Sequence, residues 1–247
     1  MKRSLVQRLP NWLTNLLMFM YRIRRAYFND GILSIHNTDF RRDPRFARAV
    51  RLGMETRSFG GYQPIWRIYI SCWAASMASH VKGDFVECGV NRGGYSRAIV
   101  DYVDFARTDK TLWLLDTYEG LVPSQISAEE AARGIKGMDY EQCYQDVVRT
   151  FSPFTNVRIV RGEVPGTLKQ VTAEKIAFLA IDMNCAEPEI AAAEHFWERM
   201  SPGAIMLLDD YGWAKHEVQK QAFDDFARRR GLEILTLPTG QGLLIKV

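Results

Sequence analysis

Short apolar segments alternate with segments of helical periodicity, and this alternation limits what the chain can fold into. Alternating β and α units predict a parallel sheet with helices on both of its faces. The last two apolar runs, 232–237 and 242–247, are separated by a Pro-Thr-Gly-Gln turn, which indicates an antiparallel hairpin at the sheet edge. We therefore predict an α/β fold with a seven-stranded, mostly parallel sheet. The remaining five predicted strands are 85–88, 112–116, 157–160, 176–182 and 204–208.

Three aspartates follow two of these strands. Asp182 ends the IAFLAI run, and Asp209 and Asp210 end the AIMLL run. The carboxyl ends of parallel strands meet at one sheet edge, where open α/β folds bind ligands. Neighbouring carboxylates raise each other's pKa unless they share a cation, and hard divalent ions prefer oxygen ligands. The pattern predicts a metal site, and the alternative is a capped, solvated loop that begins at Asp209-Asp210.

A glycine turn follows the first of these strands. Glu87 ends the strand, and Gly89, Gly93 and Gly94 follow within seven residues. Glycines at a strand-to-helix turn let the backbone approach a ligand closely. The next strand ends in Asp116, which is placed to bind ribose hydroxyls as in nucleotide-binding α/β folds, although an aspartate that caps a helix would look the same. The turn departs from the dinucleotide fingerprint G-x-G-x-x-G, so it is weak evidence alone.

Composition excludes several classes of protein. The 247 residues carry a net charge of +3, with 32 basic and 29 acidic side chains, so we predict that the protein does not bind nucleic acid. The four cysteines have no metal-binding spacing, which favours reduced thiols in a cytoplasmic protein. No apolar run reaches the roughly 20 residues of a membrane-spanning helix.

The polar segments 29–43 and 117–140 are predicted to be loops.

The first 28 residues have the pattern of a basic amphipathic helix. Apolar residues from Leu5 to Met20 recur at helical spacing, and arginines lie at both ends. Such a helix fits the inner face of a membrane, as a peripheral contact. The alternative is a helix packed on the domain itself or on a second subunit in a dimer, because apolar stripes usually face protein. We predict a helical extension over 1–80, which serves as a lid, an oligomer contact or a membrane contact, and a catalytic domain over 81–247.

Four motifs, taken in order, resemble the macrocin O-methyltransferase family. They are VECGV-NRGG, LLDTYEGL, IDMN-AEPE and LLDDYGW. The resemblance covers residues from about 80 to the carboxyl end. It implies a class I methyltransferase (Rossmann-like) fold and an enzyme that uses S-adenosylmethionine to methylate sugar hydroxyls. The metal arrangement is also similar to that of catechol O-methyltransferase, which implies Mg²⁺.

The resemblance also assigns roles to individual residues. Asp116 would bind the ribose hydroxyls, and Gly162 and Glu163 would border the adenine. Asp182, Asp209 and Asp210 would hold magnesium. The methionine and ribose parts of the donor would lie among the residues of the glycine turn, which are Glu87, Gly89, Asn91, Gly93 and Ser96.

One position departs from the family pattern. Relatives often read L-D-G-D where this chain has Ile181-Asp182-Met183-Asn184. The second aspartate is a candidate general base, and an asparagine cannot accept the proton. Two explanations are open. A metal ion at the Asp182 site activates the acceptor hydroxyl without a separate base, or His216 or Glu187 accepts the proton. Imidazole is a common general base in enzymes, but an exposed histidine at the start of a helix is the alternative.

We therefore predict a magnesium-dependent O-methyltransferase whose acceptor is a sugar or glycoconjugate, with a role in polysaccharide biosynthesis. A phenolic small molecule is the alternative acceptor, because the same metal geometry would serve a catechol. The alternative that is not an enzyme is a cofactor-binding partner in polysaccharide assembly. In that case, asparagine in place of aspartate at position 184 would indicate that catalytic activity has been lost.

Overall fold

A seven-stranded sheet forms the centre of the structure, which is a computed structural model that describes residues 10–24, 26–137 and 140–247. The strand order is β5-β4-β3-β6-β7-β9-β8. All pairs are parallel except the two that involve β9, which runs antiparallel to β7 and β8. The predicted α/β fold, including the antiparallel hairpin at one edge, is confirmed. The strands are β3 (Asp84–Cys88), β4 (Leu112–Asp116), β5 (Val157–Arg161), β6 (Ile176–Ile181), β7 (Met200–Leu208), β8 (Leu235–Thr236) and β9 (Gly242–Ile245).

The central strands are apolar on both faces because helices cover both sides of the sheet. Phe85, Leu114 and Phe178 pack towards one layer of the core, and Val86, Leu115 and Leu179 towards the other. The helices of the main body are α2 (Pro44–Glu55), α3 (Ile65–Ala78), α4 (Gly94–Tyr102), α5 (Ala128–Ala132), α6 (Tyr144–Phe151), α7 (Ala186–Trp197) and α8 (Glu217–Arg228).

The segment before α2 differs from its prediction. Helix α1 spans Asn11–Arg24, whereas residues 1–9 and 25, which we also assigned to this helix, lie outside the described residues. Tyr27 and Phe28, which we predicted to end the helix, instead begin strand β1 (Tyr27–Asn29). This strand pairs antiparallel with β2 (Ile32–Ser34), and a 3-10 turn follows in the predicted loop 29–43. The strands were missed because each has only three residues. In the described part of the chain, no helix is long and apolar enough to span a membrane.

The predicted loop 117–140 is also partly ordered into secondary structure. Ser127 caps α5 through a capping box in which the Ser127 hydroxyl and the Glu130 carboxylate each accept a backbone N–H. Glu130 also accepts a hydrogen bond from the backbone N–H of Ala186, at the start of α7 (2.7 Å). This segment is therefore attached to the loop that follows β6.

Two glycines of the turn after β3 are required by packing. Gly89 has φ +87°, and a Cβ there would lie 1.8 Å from the backbone oxygen of Asp182. Gly93 has φ +80°, and a Cβ there would lie 2.6 Å from the Phe151 ring. Both conformations are unfavourable for other residues. Gly89 thus lets the end of β3 lie against the end of β6, which brings the two halves of the site together.

We predict that Gly89→Ala destabilises the protein far more than Gly231→Ala. Gly231 also has positive φ (+66°), but no atom lies within 4 Å of the position that a Cβ would occupy, so its substitution costs only the backbone strain, about 1–2 kcal/mol. Gly89→Ala adds overpacking against the Asp182 backbone, roughly 1–3 kcal/mol more. Urea unfolding of both variants would measure the difference. Equal losses would show that the Asp182 backbone moves aside freely.

Candidate active site

A cavity of about 410 Å³ opens at the carboxyl ends of the parallel strands. Its walls come from the turn after β3, the ends of β4, β6 and β7, and residues before and within α3. This is the edge at which open α/β sheets bind ligands. The predicted site residues that line the cavity are Glu87, Gly89, Asn91, Asp116, Gly162, Asp182, Asn184, Asp209 and Asp210.

Three aspartates form a compact cluster in this cavity, which we call the acidic triad: Asp182, Asp209 and Asp210. Asp182 directly follows β6, and Asp209 and Asp210 directly follow β7. Each offers a carboxylate oxygen, and the three oxygens lie within 4.8 Å of one another. The pairing of Ile181 with Leu208 places the two strand ends side by side, which explains the convergence.

Burial and mutual repulsion determine the electrostatics of the triad. Burial and the neighbouring carboxylates Asp209 and Asp210 raise the pKa of Asp182 well above its ordinary value. Burial and Asp209 raise the pKa of Asp210 to about 7. Asp210 Oδ2 is also buried without a hydrogen-bond partner. Three oxygen donors with an unused buried acceptor fit a hard divalent ion such as Mg²⁺.

Asp209 already has a cationic neighbour, Arg67 of α3. The Arg67 guanidinium donates to Asp209 Oδ2 (2.8 Å) and to Asp30 Oδ1 (3.0 Å). Gln241 Nε2 donates to the other oxygen of Asp209 (3.0 Å). Arg67 opposes the effect of burial on the pKa of Asp209, although burial is the larger effect and the pKa is still raised. Asp209 is therefore held in place before any ligand binds.

Asn184 and His216 each contact one member of the triad. Asn184 has a left-handed backbone (φ +60°), and its side-chain nitrogen lies 3.4 Å from Asp182 Oδ1, to which it donates. His216 precedes α8; its Nδ1 lies 3.9 Å from Asp210 Oδ2 and contacts Gln219 Oε1. His216 does not line the cavity, and neither does Glu187 of α7.

At the other end of the cavity, Asp116 organises the glycine turn. Its Oδ2 accepts hydrogen bonds from the backbone N–H groups of Val90 (2.6 Å) and Asn91 (2.8 Å). Its Oδ1 accepts one from the Tyr118 N–H (2.6 Å). The Thr117 hydroxyl also lies 3.3 Å from Oδ1, but its one proton has a closer acceptor in the Gly120 carbonyl (2.7 Å). Of the roughly four acceptor positions of the carboxylate, one therefore remains on Oδ1. Asp116 therefore fixes the turn and still faces the cavity.

Other predicted donor residues lie around this end. Glu87 lines the cavity; burial raises its pKa to about 8, and it accepts a hydrogen bond from the Ser96 hydroxyl. Ser96 is thus behind Glu87 and does not line the cavity. Gly93 packs against Phe151 instead, and Glu163 lies beyond Gly162, outside the lining.

Several lining residues were not predicted from the sequence. Arg67, Tyr62, Tyr95 and Tyr140 all line the cavity, and the hydroxyl of Tyr95 is buried without a partner. A signal existed only for Arg67, which is the one charged residue of the apolar helix α3. A buried charge needs a partner, so an acidic neighbour could have been inferred but not identified.

The strand order and the cavity at the strand ends define a class I methyltransferase (Rossmann-like) fold. The sequence profile of the macrocin O-methyltransferase (TylF) family matches residues 67–236, more than half of the 247-residue chain. The chain belongs to this family, which confirms the resemblance carried by its four motifs.

Three known proteins are similar to this chain. The 8-demethyl-8-(2,3-dimethoxy-α-L-rhamnosyl)-tetracenomycin-C 4'-O-methyltransferase of Streptomyces olivaceus is 27% identical over 174 residues, which cover 65% of this chain and 64% of that protein. The mycinamicin III 3''-O-methyltransferase of Micromonospora griseorubida is 26% identical over 153 residues, 57% of this chain and 59% of the relative. The match thus spans less than two thirds of either relative. The O-methyltransferase NovP structure has the same fold, with a TM-score of 0.66 and 22% identity over 78% of this chain and 88% of NovP.

We predict that Mg²⁺ stabilises the protein more at pH 8 than at pH 6. The folded-state pKa values of all three aspartates are raised, that of Asp210 to about 7. The metal-free protein therefore loses stability as pH rises above about 4, by roughly 1.4 kcal/mol per pH unit for each group that is still protonated only in the folded state. For Asp210 this loss continues to about pH 7. Mg²⁺ binds the ionised form and therefore acts most at high pH. Thermal unfolding at both pH values, with and without MgCl₂, would measure this.

Asp210→Asn should flatten the fall in stability with pH and reduce the shift caused by Mg²⁺. Asp104→Asn is the matched control, because Asp104 is exposed and lies outside the cavity. An unchanged Mg²⁺ shift in Asp210→Asn would remove Asp210 from the metal site.

We predict that Arg67→Met costs about 3–5 kcal/mol of unfolding free energy, because it leaves Asp30 and Asp209 buried without their cation. Arg48→Met is the control, since the Arg48–Asp101 pair has one exposed partner and should contribute at most about 1 kcal/mol. Urea unfolding at pH 7 would compare them. Similar losses in the two variants would contradict a structural role for Arg67.

Proposed function

We propose that the protein is an S-adenosylmethionine-dependent O-methyltransferase that acts on a hydroxyl of a sugar or glycoconjugate, with Mg²⁺ held by the acidic triad. The observation that carries the proposal is that one cavity contains both the glycine turn with Asp116 and the acidic triad. Methyl transfer needs a donor and an acceptor hydroxyl in line within one site. Family membership supports the same reaction class.

The donor would bind at the end of the cavity formed by the glycine turn. Asp116 keeps the backbone of Val90 and Asn91 in place, and its Oδ1 would accept a ribose hydroxyl. Gly89 and Asn91 would border the methionine part, with Glu87 kept in position by Ser96. Gly162 would border the adenine, and Glu163 would contribute only through the conformation of that loop.

The acceptor would bind near the triad, which is where its hydroxyl must lose a proton. The acceptor oxygen forms a bond to the methyl carbon while the sulfur–carbon bond of the donor breaks, and the hydroxyl proton leaves to a base. A bound Mg²⁺ would lower the pKa of the hydroxyl. Asp182, Asp209 and Asp210 would hold the ion, and the hydrogen bonds from Arg67 and Asn184 fix two of these carboxylates.

The position of the base follows from the same geometry. With asparagine at 184, the carboxylates nearest the acceptor are those of the triad, and Asp182 lines the cavity directly after β6. His216 is outside the lining and lies beside Asp210, so we propose that it positions Asp210 and does not contact the acceptor. Glu187 also lies outside the cavity lining, so its carboxylate would not contact an acceptor bound in the cavity.

A sugar acceptor is favoured over a phenol by the relatives. The Streptomyces olivaceus protein is named for a rhamnosyl substrate. The phenolic alternative is supported by the aromatic side chains in the lining, Phe59, Tyr62, Tyr95 and Tyr140. Aromatic rings can also pack against the apolar faces of a sugar, so the lining alone does not separate the two acceptors.

The test is a methylation assay with S-adenosylmethionine, MgCl₂ and either a rhamnosylated natural product or a catechol, with products identified by mass spectrometry. We expect methylation of the sugar and its loss on chelation. Asp182→Asn should reduce kcat by roughly 100-fold or more, while S-adenosylhomocysteine affinity measured by calorimetry changes little. Asp104→Asn is the control. Donor binding without turnover on any acceptor would instead favour a non-catalytic binding protein.

Asn184→Asp should lower kcat, because it replaces the hydrogen bond to Asp182 with a like charge 3.4 Å away. The same variant should lower the melting temperature of the metal-free protein at pH 8 and enlarge the Mg²⁺ shift. Asn184→Gly is the matched control, since it loses the hydrogen bond without adding repulsion and tolerates the left-handed backbone at this position (φ +60°). A higher kcat in Asn184→Asp would show that position 184 is suited to a base and would overturn the orienting role.

A further inference from the structure

Helix α1 has an apolar stripe that no described residue covers. Trp12, Leu16, Phe19, Met20 and Ile23 follow helical spacing, so they lie on one face of the helix. Their exposed fractions are 67%, 45%, 60%, 56% and 43%. The core side chains of α3, in contrast, are fully buried. A contiguous exposed stripe of this kind marks an interaction surface.

The hairpin that follows α1 in the sequence also exposes large apolar side chains. Phe28 and Leu33 are directly opposite each other in the β1–β2 register, and they are 69% and 55% exposed. The guanidinium of Arg41 lies 3.8 Å above the Tyr27 ring, which places a cation beside the hairpin. We call α1 and this hairpin together the amino-terminal surface.

The charge of this segment is of one sign. Residues 1–29 contain six basic side chains, Lys2, Arg3, Arg8, Arg22, Arg24 and Arg25, and no acidic one. Aromatic and aliphatic side chains on one face, together with basic residues, are typical of helices that lie in the interface of an anionic membrane. Basic residues near such a surface each add to the attraction.

A second copy of this chain fits the stripe less well. In a symmetric antiparallel pair, the segment of one copy would lie beside the same segment of the other, whose charged residues are all basic. In a parallel pair, each cation would face its own copy. Neither arrangement supplies an acidic partner, because the segment has none. Like charges opposite each other in a helix pair are destabilising.

We propose that the amino-terminal surface docks on a bilayer that contains anionic lipid. The proposal does not depend on the methyltransferase activity. The hairpin is firmly attached to the body, because Asn29 hydrogen-bonds Gln63 and Ile65, and Asp30 pairs with Arg67. Docking would therefore hold the whole enzyme at the membrane, with its cavity connected to the hairpin through Arg67.

The test is co-sedimentation of the full chain with vesicles of phosphatidylcholine alone or mixed with phosphatidylglycerol. We expect binding only to the mixed vesicles, and weaker binding at about 1 M salt than at about 0.1 M salt, because salt screens the charges. The double variant Leu16→Ser/Phe19→Ser and the variant Arg24→Glu should each bind at least tenfold more weakly. Leu235→Ser and Arg107→Glu, which change exposed residues elsewhere, are the matched controls.

A second readout does not depend on the folding of a polar variant. Brominated phosphatidylglycerol vesicles should quench tryptophan fluorescence of the unmodified chain, and Trp12→Phe should remove most of that quenching. Equal sedimentation with both vesicle types, or quenching that persists in Trp12→Phe, would overturn the proposal. So would a dimer in analytical ultracentrifugation that Leu16→Ser/Phe19→Ser dissociates while vesicle binding is absent, since the stripe would then be a subunit interface.

Discussion

The buried ion pair between Arg67 and Asp209 compensates for the most unfavourable feature of this structure, which is the concentration of acids at one sheet edge. Glu87, Asp182, Asp209 and Asp210 are all buried or half-buried at neighbouring strand ends. Burying ionised carboxylates costs free energy unless a cation compensates. Arg67 supplies one positive charge to Asp209, and the raised pKa values of Asp182 and Asp210 show that it does not neutralise the whole cluster. The remaining negative charge is what a divalent ion would bind.

The same ion pair connects parts of the chain that are far apart in sequence. Arg67 belongs to α3, Asp209 follows β7, and Asp30 lies in the turn of the hairpin between β1 and β2. The hairpin thus contributes to the electrostatics of the cavity through a single guanidinium. Residues of the predicted extension 1–80 also line the cavity, among them Phe59 and Tyr62. The division into an extension and a catalytic domain at residue 80 remains a prediction, but the site draws on both sides of it.

The site residues that directly follow strand ends could be predicted from the sequence. Contacts between side chains that are distant in the sequence could not. The convergence of Asp182 with Asp209 and Asp210 follows because parallel strands end at one edge. The partner of Arg67 lies 142 residues away, and no local pattern identifies such a pair. Likewise, the family resemblance assigned Gly93 and Ser96 to the donor site. Their contacts with Phe151 and Glu87 depend on how α6 packs and on the orientation of the Ser96 side chain, which no local pattern predicts.

Asparagine at position 184 changes which side chain in the site could accept the acceptor's proton and which one orients a carboxylate. An aspartate there would be a fourth carboxylate beside the triad, where Arg67 is already paired with Asp30 and Asp209. Asparagine removes that charge and donates a hydrogen bond to Asp182, so the group that could have taken a proton now orients a carboxylate. In the proposed reaction, proton removal would then depend on the triad and on the Mg²⁺ that it would hold. His216 contacts Asp210 from outside the cavity, and its position therefore suits it to support a carboxylate rather than to replace the missing base.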